Sequence, residues 1–118
     1  MQAKVGFHYK KKRLSFNARK CGMFGQFWGL MFSRREKAEN LLFEFRKPVS
    51  FSIHSVFVFF PFVAVWLDEK GNVTKIKIIK PFTLSVKPKR KYKKLLEIPI
   101  NRKNRKKLQS LSRNFPQY

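Results

Sequence analysis

The longest apolar stretch of the chain reads VFVFFPFVAVWL, covers residues 56–67 and contains one proline, Pro61. Phe, Val and Trp dominate this stretch, and these residues favour strands over helices. A continuous apolar run of this length is typical of strands that are buried on both faces. Because proline donates no hydrogen bond to a sheet, Pro61 indicates a break or bulge between two short strands. We therefore expect buried β structure on both sides of Pro61.

Two other interpretations of this stretch are less favoured. A transmembrane helix needs roughly 20 consecutive apolar residues, whereas this run has twelve positions with a proline among them. An exposed platform for stacked bases would leave a large apolar patch in water, which soluble proteins rarely do. The stretch therefore predicts a core segment and no membrane insertion.

Shorter segments alternate apolar and polar residues, which is the pattern of a strand with one buried face. In KVGFHYK, for example, every second residue from Val5 to Tyr9 is apolar. Residues 68–72, DEKGN, predict a hairpin turn in which Gly71 adopts a positive φ. Many short strands separated by turns predict a mainly β fold, a small antiparallel sandwich or barrel. The candidate strands are 4–10, 40–46, 50–55, 75–78, 83–86 and 95–100.

One or two short helices complete the predicted fold. Residues 24–40, FGQFWGLMFSRREKAEN, hold either a short helix or a turn rich in aromatic residues. Near the carboxyl end, Leu108, Leu111 and Phe115 recur at the spacing of one helical face. The beginning of this helix carries several cations and no acid, which opposes the helix dipole. We expect it to fray unless an anion such as phosphate lies nearby.

Charge changes this picture more than any motif does. The 118 residues include 28 Lys and Arg but 6 Asp and Glu, for a formal net charge of +22. Such a surface repels itself unless an anionic partner shares it, which indicates nucleic acid or an acidic membrane surface. The single cysteine, Cys21, excludes an intrachain disulfide and suits a reduced, cytoplasmic protein. The amino-terminal residues lack the apolar run of a secretory signal.

The cations are concentrated in three basic clusters. Cluster 1 is KKKR at 10–13 with Arg19 and Lys20 nearby, cluster 2 is KPKRKYKK at 87–94, and cluster 3 is RKNRKK at 102–107. A single charge run is usually a solvated face, but three separated runs with so few acids favour binding to phosphates, which is salt-dependent and mostly sequence-independent. The predicted nucleic-acid-binding residues are Lys10, Lys11, Lys12, Arg13, Arg19, Lys20, Lys87, Lys89, Arg90, Lys91, Tyr92, Lys93, Lys94, Arg102, Lys103, Arg105, Lys106, Lys107 and Arg113.

RNA is the favoured partner. Tyr92, Phe115 and Tyr118 are candidates for stacking on unpaired bases. No helix-turn-helix, zinc finger or paired glycine loop is visible in the sequence, so no motif would read the DNA major groove. A small β core with basic ends resembles proteins that thread extensions into folded RNA, with tails that order on binding. We therefore predict a structural RNA-binding protein associated with the ribosome, with ribosomal RNA and neighbouring ribosomal proteins as partners.

Patterns for catalysis and metal binding are weak. Ser52, His54 and Ser55 lie close together, but neither a nucleophile elbow nor an orienting acid accompanies them. The histidines have no cysteine or carboxylate at ligand spacing. Glu97 interrupts an apolar strand and is expected to face solvent or to pair with a lysine, and Cys21 is expected to be an ordinary thiol. The sequence predicts no enzyme, no metal and no cofactor.

Several spaced motifs follow one another in the order of a known family. The motifs are GLMF at 29–32, LLF at 41–43, SIHSVFVFFPFVAVWLD at 52–68, Gly71, Pro81 and LLEIP at 95–99. Through them, residues 22–100 resemble domain-of-unknown-function family one-hundred-ninety-two, in its archaeal style. The resemblance implies a compact, mainly β domain and no activity, because the family has no established one. Bacterial members usually carry Trp-Met-Lys-Asn-Thr at 52–56 and an Asp at Val63, so any polar pocket of relatives would lose much of its chemistry here.

The ends of the chain lie outside this resemblance and are expected to be additions. The predicted division is a basic extension at 1–20, a β domain at 21–100 and a basic tail with helical potential at 101–118. Two rival functions stay open. One is a small-ligand-binding or enzymatic domain that uses a cleft near His54 and Trp66. The other is a charge-driven protein that coats DNA or binds a membrane surface.

Overall fold

The structure, a computed structural model, describes residues 2–21, 30, 33–53, 55 and 57–111. Six strands form one mixed sheet that curves into a half-barrel, and a short helix follows the last strand. This confirms the predicted mainly β fold with little helix. The elements are β1 (Gln2–Tyr9), β2 (Lys12–Cys21), β3 (Leu41–Val49), β4 (Phe62–Leu67), β5 (Val73–Ile79), β6 (Tyr92–Pro99) and α1 (Arg105–Leu111).

The strand order in the sheet is β1-β2-β3-β6-β4-β5. Neighbouring strands are antiparallel except for β2 and β3, which run parallel where Arg19 lies beside Leu41 and Cys21 beside Phe43. Only the last three residues of β2 pair with the first three of β3. Because the two strands run in the same direction, they do not form a hairpin. This one pair departs from the antiparallel arrangement that the sequence predicts.

The two faces of the sheet bury two separate cores. The first core draws side chains from all six strands and from α1, whereas the second lies between the central strands and the loops that cover them. Along β4, alternate residues such as Val63 and Val65 belong to the first core, and Ala64 and Trp66 belong to the second. Burial on both faces explains why this part of the sequence is continuously apolar.

The stretch before Pro61 is a loop and not the expected strand. Val58 and Phe60 are buried there, while Phe57 and Phe59 are exposed. Pro61 offers no N–H to a sheet, so the chain joins the ladder only after it. The prediction of buried β structure is therefore confirmed after Pro61 and wrong before it.

Two further predicted strands, at 50–55 and 83–86, are loops among the residues described. A single antiparallel bridge joins them at Ile53 and Val86, whose backbone groups exchange two hydrogen bonds of 2.8 Å. The β3–β4 and β5–β6 connections, to which these segments belong, cover the second core and are called the loop layer below. Their apolar residues pack from outside the sheet, which sequence alternation cannot distinguish from packing within a strand.

Both ends of the chain contribute to the first core. β2 lies outside the predicted strands, although apolar and polar residues alternate from Leu14 to Ala18. The rings of Phe7 and Phe16 stack with centroids 6.1 Å apart, and Leu108 of α1 is buried in the same core. The described residues of the two predicted extensions therefore share the core of the β domain.

The helix predictions have two outcomes. The carboxyl-terminal helix is confirmed at Arg105–Leu111, with Leu108 and Leu111 buried as expected; Phe115 lies outside the described residues. For the 24–40 segment, the described part contains turns and no helix, and its first half lies outside the described residues.

The turn between β4 and β5 follows its prediction. Gly71 has a φ of 83°. The side chain of Asp68 accepts hydrogen bonds from the N–H groups of Lys70 and Asn72, each at 2.9 Å. These contacts fix a tight reversal in which residue 71 must adopt the left-handed conformation.

Replacing Gly71 with Val should therefore lower the free energy of unfolding by roughly 1 kcal/mol or more, because a β-branched residue resists positive φ. A Cβ at this position would meet no atom within 4 Å, so the conformation and not a clash causes the loss. Urea denaturation measures the change. Gly71→Asn, which tolerates this conformation better, serves as the control and should lose less. Equal midpoints for wild type and the Val variant would contradict the assignment.

Candidate nucleic-acid interface

Cluster 1 lies at the tip of the β1–β2 hairpin. Lys10 and Lys11 form its two-residue turn, with φ of 49° and 68°, between the paired residues Tyr9 and Lys12. The ammonium of Lys10 lies 5.4 Å from the centre of the Tyr9 ring. The four basic residues from Lys10 to Arg13 are all exposed. The hairpin thus carries a dense group of cations away from the sheet.

Cluster 3 begins just after β6 and continues into α1. Arg102, Lys103, Arg105 and Lys106 are exposed. The ammonium of Lys107 donates a hydrogen bond of 2.8 Å to the carbonyl of Ser15 and lies 5.2 Å from the Phe16 ring. Ser15 belongs to β2, the strand that starts at cluster 1. Clusters 1 and 3 therefore lie close together, at the same end of the sheet.

The start of α1 is held by buried asparagines. Asn101 Nδ2 donates to the carbonyl of Arg35 at 2.9 Å, and its Oδ1 accepts from the N–H of Asn104 at 3.2 Å. Asn104 Nδ2 donates to the carbonyl of Pro99 and to Asn40 Oδ1, both at 2.8 Å. These contacts fix the residues that lead into α1 and oppose the unfavourable effect of the cations there.

A polar cleft of about 320 Å³ opens beside cluster 3. Side chains from β1, β2, the segment before β3 and cluster 3 line it, and two of them are lysines. Amides supply most of its other polar groups, and a carboxylate also lines it. The lining residues are Gln2, Phe16, Asn17, Glu39, Asn40, Lys103, Asn104 and Lys107.

Cluster 2 lies at the opposite end of β6. Lys87, Lys89, Arg90 and Lys91 are exposed in the loop layer, while the remaining lysines of the cluster are half-buried on β6. The eight residues of β6 separate these exposed cations from cluster 3, a span of about 23 Å at the rise of a strand. The exposed tips of the three clusters thus form two basic regions at opposite ends of the sheet.

Tyr92 is the predicted binding residue that the structure contradicts. The residue is 1% exposed and belongs to the second core. Its ring meets Trp66 and Phe45 edge to face, and its hydroxyl donates to the carbonyl of Phe51 at 2.9 Å. Burial, with a smaller effect of Glu97, raises the pKa of Tyr92 to about 12. Its place in β6 buries the ring, so it cannot stack on a base. Arg113, Phe115 and Tyr118 lie outside the described residues.

Acidic residues neutralise only part of the basic surface. Arg19 pairs with Glu39 at 3.1 Å. Glu44 lies between Lys20 and Lys94, at 3.8 and 3.6 Å. Glu44 thus links Lys20 of cluster 1 to Lys94 of cluster 2, so the strand residues of these two clusters lie near one another. The exposed tips of the clusters keep an excess of positive charge.

The family model of DUF192, described as uncharacterized ACR, matches residues 22–112, which is most of the chain. The protein belongs to the DUF192 family. The family resemblance seen in the sequence is thereby confirmed. No curated protein matches the chain.

Two solved structures share the fold of this DUF192 protein. A protein of unknown function from Novosphingobium aromaticivorans DSM 12444 is 18% identical, with a TM-score of 0.72 over 83% of this chain and 73% of that chain. A candidate transcription regulator from Sinorhizobium meliloti 1021 is 17% identical, with a TM-score of 0.76 over 95% of this chain and 88% of that chain. At these identities the likeness supports the fold alone.

The serine that had suggested hydrolysis is structural in this DUF192 protein. Ser55 is fully buried. Its hydroxyl donates to the carbonyl of Lys80 at 2.6 Å and accepts from the N–H of Thr83 at 2.7 Å. Ser55 therefore joins the two connections of the loop layer.

The cleft that a rival prediction places near His54 and Trp66 is not lined by Trp66, because that side chain is 0% exposed. His54 lies outside the described residues.

Glu97 departs from its prediction, because it neither faces solvent nor pairs with a lysine in the described part of the chain. The residue is 7% exposed and lies between Leu41 on β3 and Ala64 on β4. Burial raises the pKa of its carboxyl to about 8. Burial also raises the pKa of the Cys21 thiol, which disfavours a reactive thiolate. Little in the sequence indicates the burial of Glu97 or the partial burial of Cys21, because both depend on which strands lie beside these residues.

The described residues hold neither a metal-binding cluster nor a helix that could cross a membrane. Across 2–21, 30, 33–53, 55 and 57–111, no group of three or more His, Cys, Asp or Glu side chains is placed to hold a metal ion. Within the same part of the chain, no helix has the length and apolar character needed to cross a membrane.

Proposed function

We propose that this DUF192 protein is a structural RNA-binding protein of the cytoplasm, with ribosomal RNA as its partner. One observation supports this most strongly: the tips of all three basic clusters stay exposed after folding. Most of these cations remain in solvent, and repulsion among them destabilises a compact chain with a formal net charge of +22. Phosphates of a bound RNA would remove that repulsion.

The distribution of charge favours an extended partner. The two basic regions lie at opposite ends of the sheet, so a small anion would occupy only one of them. A polynucleotide spans such a distance and offers a phosphate at regular intervals along it. The cations of clusters 1 and 3 would then act together on one side, with cluster 2 holding a second stretch of the same RNA.

RNA is favoured over DNA because the described part of the chain presents no long recognition helix for the major groove. α1 has seven residues, about two turns, and packs its leucines against the sheet, so it is too short to lie along a major groove as a recognition helix does. The basic ends and the departures from the bacterial pattern are consistent with an archaeal-type member specialised for RNA. The ribosome supplies the most abundant anionic surface for such a protein.

Binding should depend steeply on salt. If the three clusters contact about six phosphates, the slope of log affinity against log salt should be about −4 to −5. Changing Lys103, Arg105, Lys106 and Lys107 together to Gln should flatten the slope by up to about 3 to 4 units. The fold should persist at a small cost in stability, because all four side chains are exposed, although Lys107 also loses its hydrogen bond to the carbonyl of Ser15. Fluorescence anisotropy with a labelled RNA over a salt series measures both slopes.

A matched control removes the same charge elsewhere. Lys4, Lys37, Lys70 and Lys77 are exposed and lie outside the clusters, so their joint replacement by Gln should flatten the slope much less. In cell lysate, RNase and not DNase should release the wild-type protein from large particles. A slope near zero, or equal slopes for the two quadruple variants, would rule out phosphate binding by cluster 3.

A further inference from the structure

The loop layer presents aromatic side chains to solvent. Phe51, Phe57, Phe59 and Phe82 are between 45% and 59% exposed, and Leu84 is 81% exposed. The rings of Phe59 and Phe82 meet edge to face, with centroids 5.5 Å apart. One ring comes from the β3–β4 connection and the other from the β5–β6 connection. Together they form a small aromatic surface on the outside of the protein.

The backbone of Phe82 has a conformation that bulky residues rarely adopt. Its φ is 61°, in the left-handed region, where a bulky residue is uncommon and Gly or Asn is easier to accommodate. The N–H of Phe82 donates to the carbonyl of Ser55 at 2.8 Å, and the buried Ser55 hydroxyl fixes the adjacent backbone. The Phe82 ring is thus exposed, while the strain lies in the backbone that carries it. Strain that the surrounding structure maintains is common at sites that bind partners.

The charge around these rings is entirely positive in the sequence that carries them. The segments 45–67 and 70–96, which contain both connections of the loop layer, include no Asp or Glu. Exposed lysines at 80, 87 and 89 belong to the same connection as Phe82. Aromatic faces beside cations suit unpaired nucleotides, because bases stack on the rings and phosphates meet the ammonium groups. A duplex keeps its bases paired and offers no free face to stack.

We propose that Phe59 and Phe82 form a stacking platform for unpaired bases, so that the bound RNA is single-stranded where it crosses the loop layer. This inference rests on the proposed RNA binding and narrows the partner to RNA with unpaired nucleotides. Trp and Tyr are the aromatic residues enriched at membrane interfaces, whereas these exposed rings are all Phe. The membrane surface is therefore the less favoured occupant, and the experiment below separates it.

Substitutions that remove the ring but keep the fold test the platform. Phe59→Leu keeps an apolar side chain without a π face, and Phe82→Asn replaces the strained residue by one that tolerates its φ. The probes are an unstructured RNA of about 12 nucleotides containing 2-aminopurine, a duplex RNA with the same number of phosphates, and vesicles of phosphatidylcholine with phosphatidylserine. Circular dichroism verifies that each variant is folded, and Phe82→Asn should be at least as stable as wild type.

We expect each substitution to weaken binding of the single-stranded RNA by about 5-fold or more, the effect of losing one stacked base. Duplex binding and the salt slope should stay the same, and the quenching of 2-aminopurine fluorescence should decrease. Phe59→Trp, which keeps an aromatic ring at this position, should bind single-stranded RNA as wild type does.

Other results would overturn the inference in distinguishable ways. Unchanged affinity for single-stranded RNA, or equal losses for single-stranded and duplex RNA, overturns the platform and leaves the proposed RNA binding intact. Loss of vesicle binding with unchanged RNA affinity assigns the rings to a membrane surface instead. Wild-type protein that binds neither RNA overturns the platform and the proposed function together.

Discussion

Replacing Glu97 with Gln should raise the free energy of unfolding by roughly 3 to 5 kcal/mol at about pH 8.5 and change it by less than about 1 kcal/mol at about pH 5. Glu97 is a buried carboxyl whose neighbours across the sheet are Leu41 and Ala64. Above its pKa in the folded protein, the carboxylate must ionise among these side chains. Gln keeps nearly the same shape and carries no titrating proton.

The sign follows from proton binding. Burial raises the pKa of Glu97 from 4.5 to about 8. Below both values the two states hold the same proton, and the stabilising effect of the neutral carboxyl is fully present. Between them the folded state keeps a proton that the unfolded state has lost, so stability falls as pH rises. The loss amounts to about 1.4 kcal/mol for each pH unit in this window and is complete above the folded pKa.

Urea denaturation of wild type and variant at both pH values measures the difference. Glu69→Gln provides a matched control, because Glu69 is exposed in the β4–β5 turn and should show no comparable difference between the two conditions. Parallel pH profiles for wild type and Glu97→Gln would show that the carboxyl is not buried in the folded protein.

Replacing Trp66 with Ala should lower the free energy of unfolding by about 3 to 5 kcal/mol. Trp66 is 0% exposed and is among the largest fully buried side chains of the described chain. Its ring packs edge to face on Tyr92, with centroids 6.5 Å apart. Its indole N–H has no hydrogen-bond partner among the described residues, and removing that buried donor offsets a small part of the loss.

The loss is measured by urea denaturation followed by circular dichroism, because the substitution removes a fluorophore. Leu84→Ala is the control for losing a large apolar side chain that is mostly exposed, and it should change stability by no more than about 0.5 kcal/mol. Trp66→Phe retains most of the buried surface and should fall between the two. Similar losses for Trp66→Ala and Leu84→Ala would contradict the assignment of Trp66 to the second core.

Sequence patterns located strands best where the hydrogen-bonded ladder itself determines burial. The alternation around Val5 and the continuous run after Pro61 both correspond to strands. The segments that contain Ile53 and Val86 have equally regular patterns but form loops joined by one bridge. Alternate burial against the outside of a sheet gives the same sequence signal as burial within it. The pattern therefore gives the residues' burial more reliably than their hydrogen bonding.

The candidate interface shows a similar division. The positive clusters are evident from the sequence, because Lys and Arg side chains at the ends of loops and turns are almost always solvated. Tyr92 looks like a binding residue when read beside its charged neighbours, yet its ring is buried in the second core. Phe59 looks like core, yet it is exposed on the loop layer. For each aromatic residue, the side of the backbone on which it points depends on contacts distant in sequence.

The sequence by itself determined the mainly β class, the turn at Gly71, the helix around Leu108, the family and the excess of positive charge. These follow from local conformational preference, hydrophobic periodicity and composition, which need no knowledge of distant contacts. Only the tertiary structure decided the parallel pairing of β2 and β3, the shared location of clusters 1 and 3, the burial of Glu97 and the exposure of Phe82. Each of these depends on which strands and loops become neighbours. That pairing is a collective property of the packed chain, because many distant residues must be buried together before any one partner is favoured.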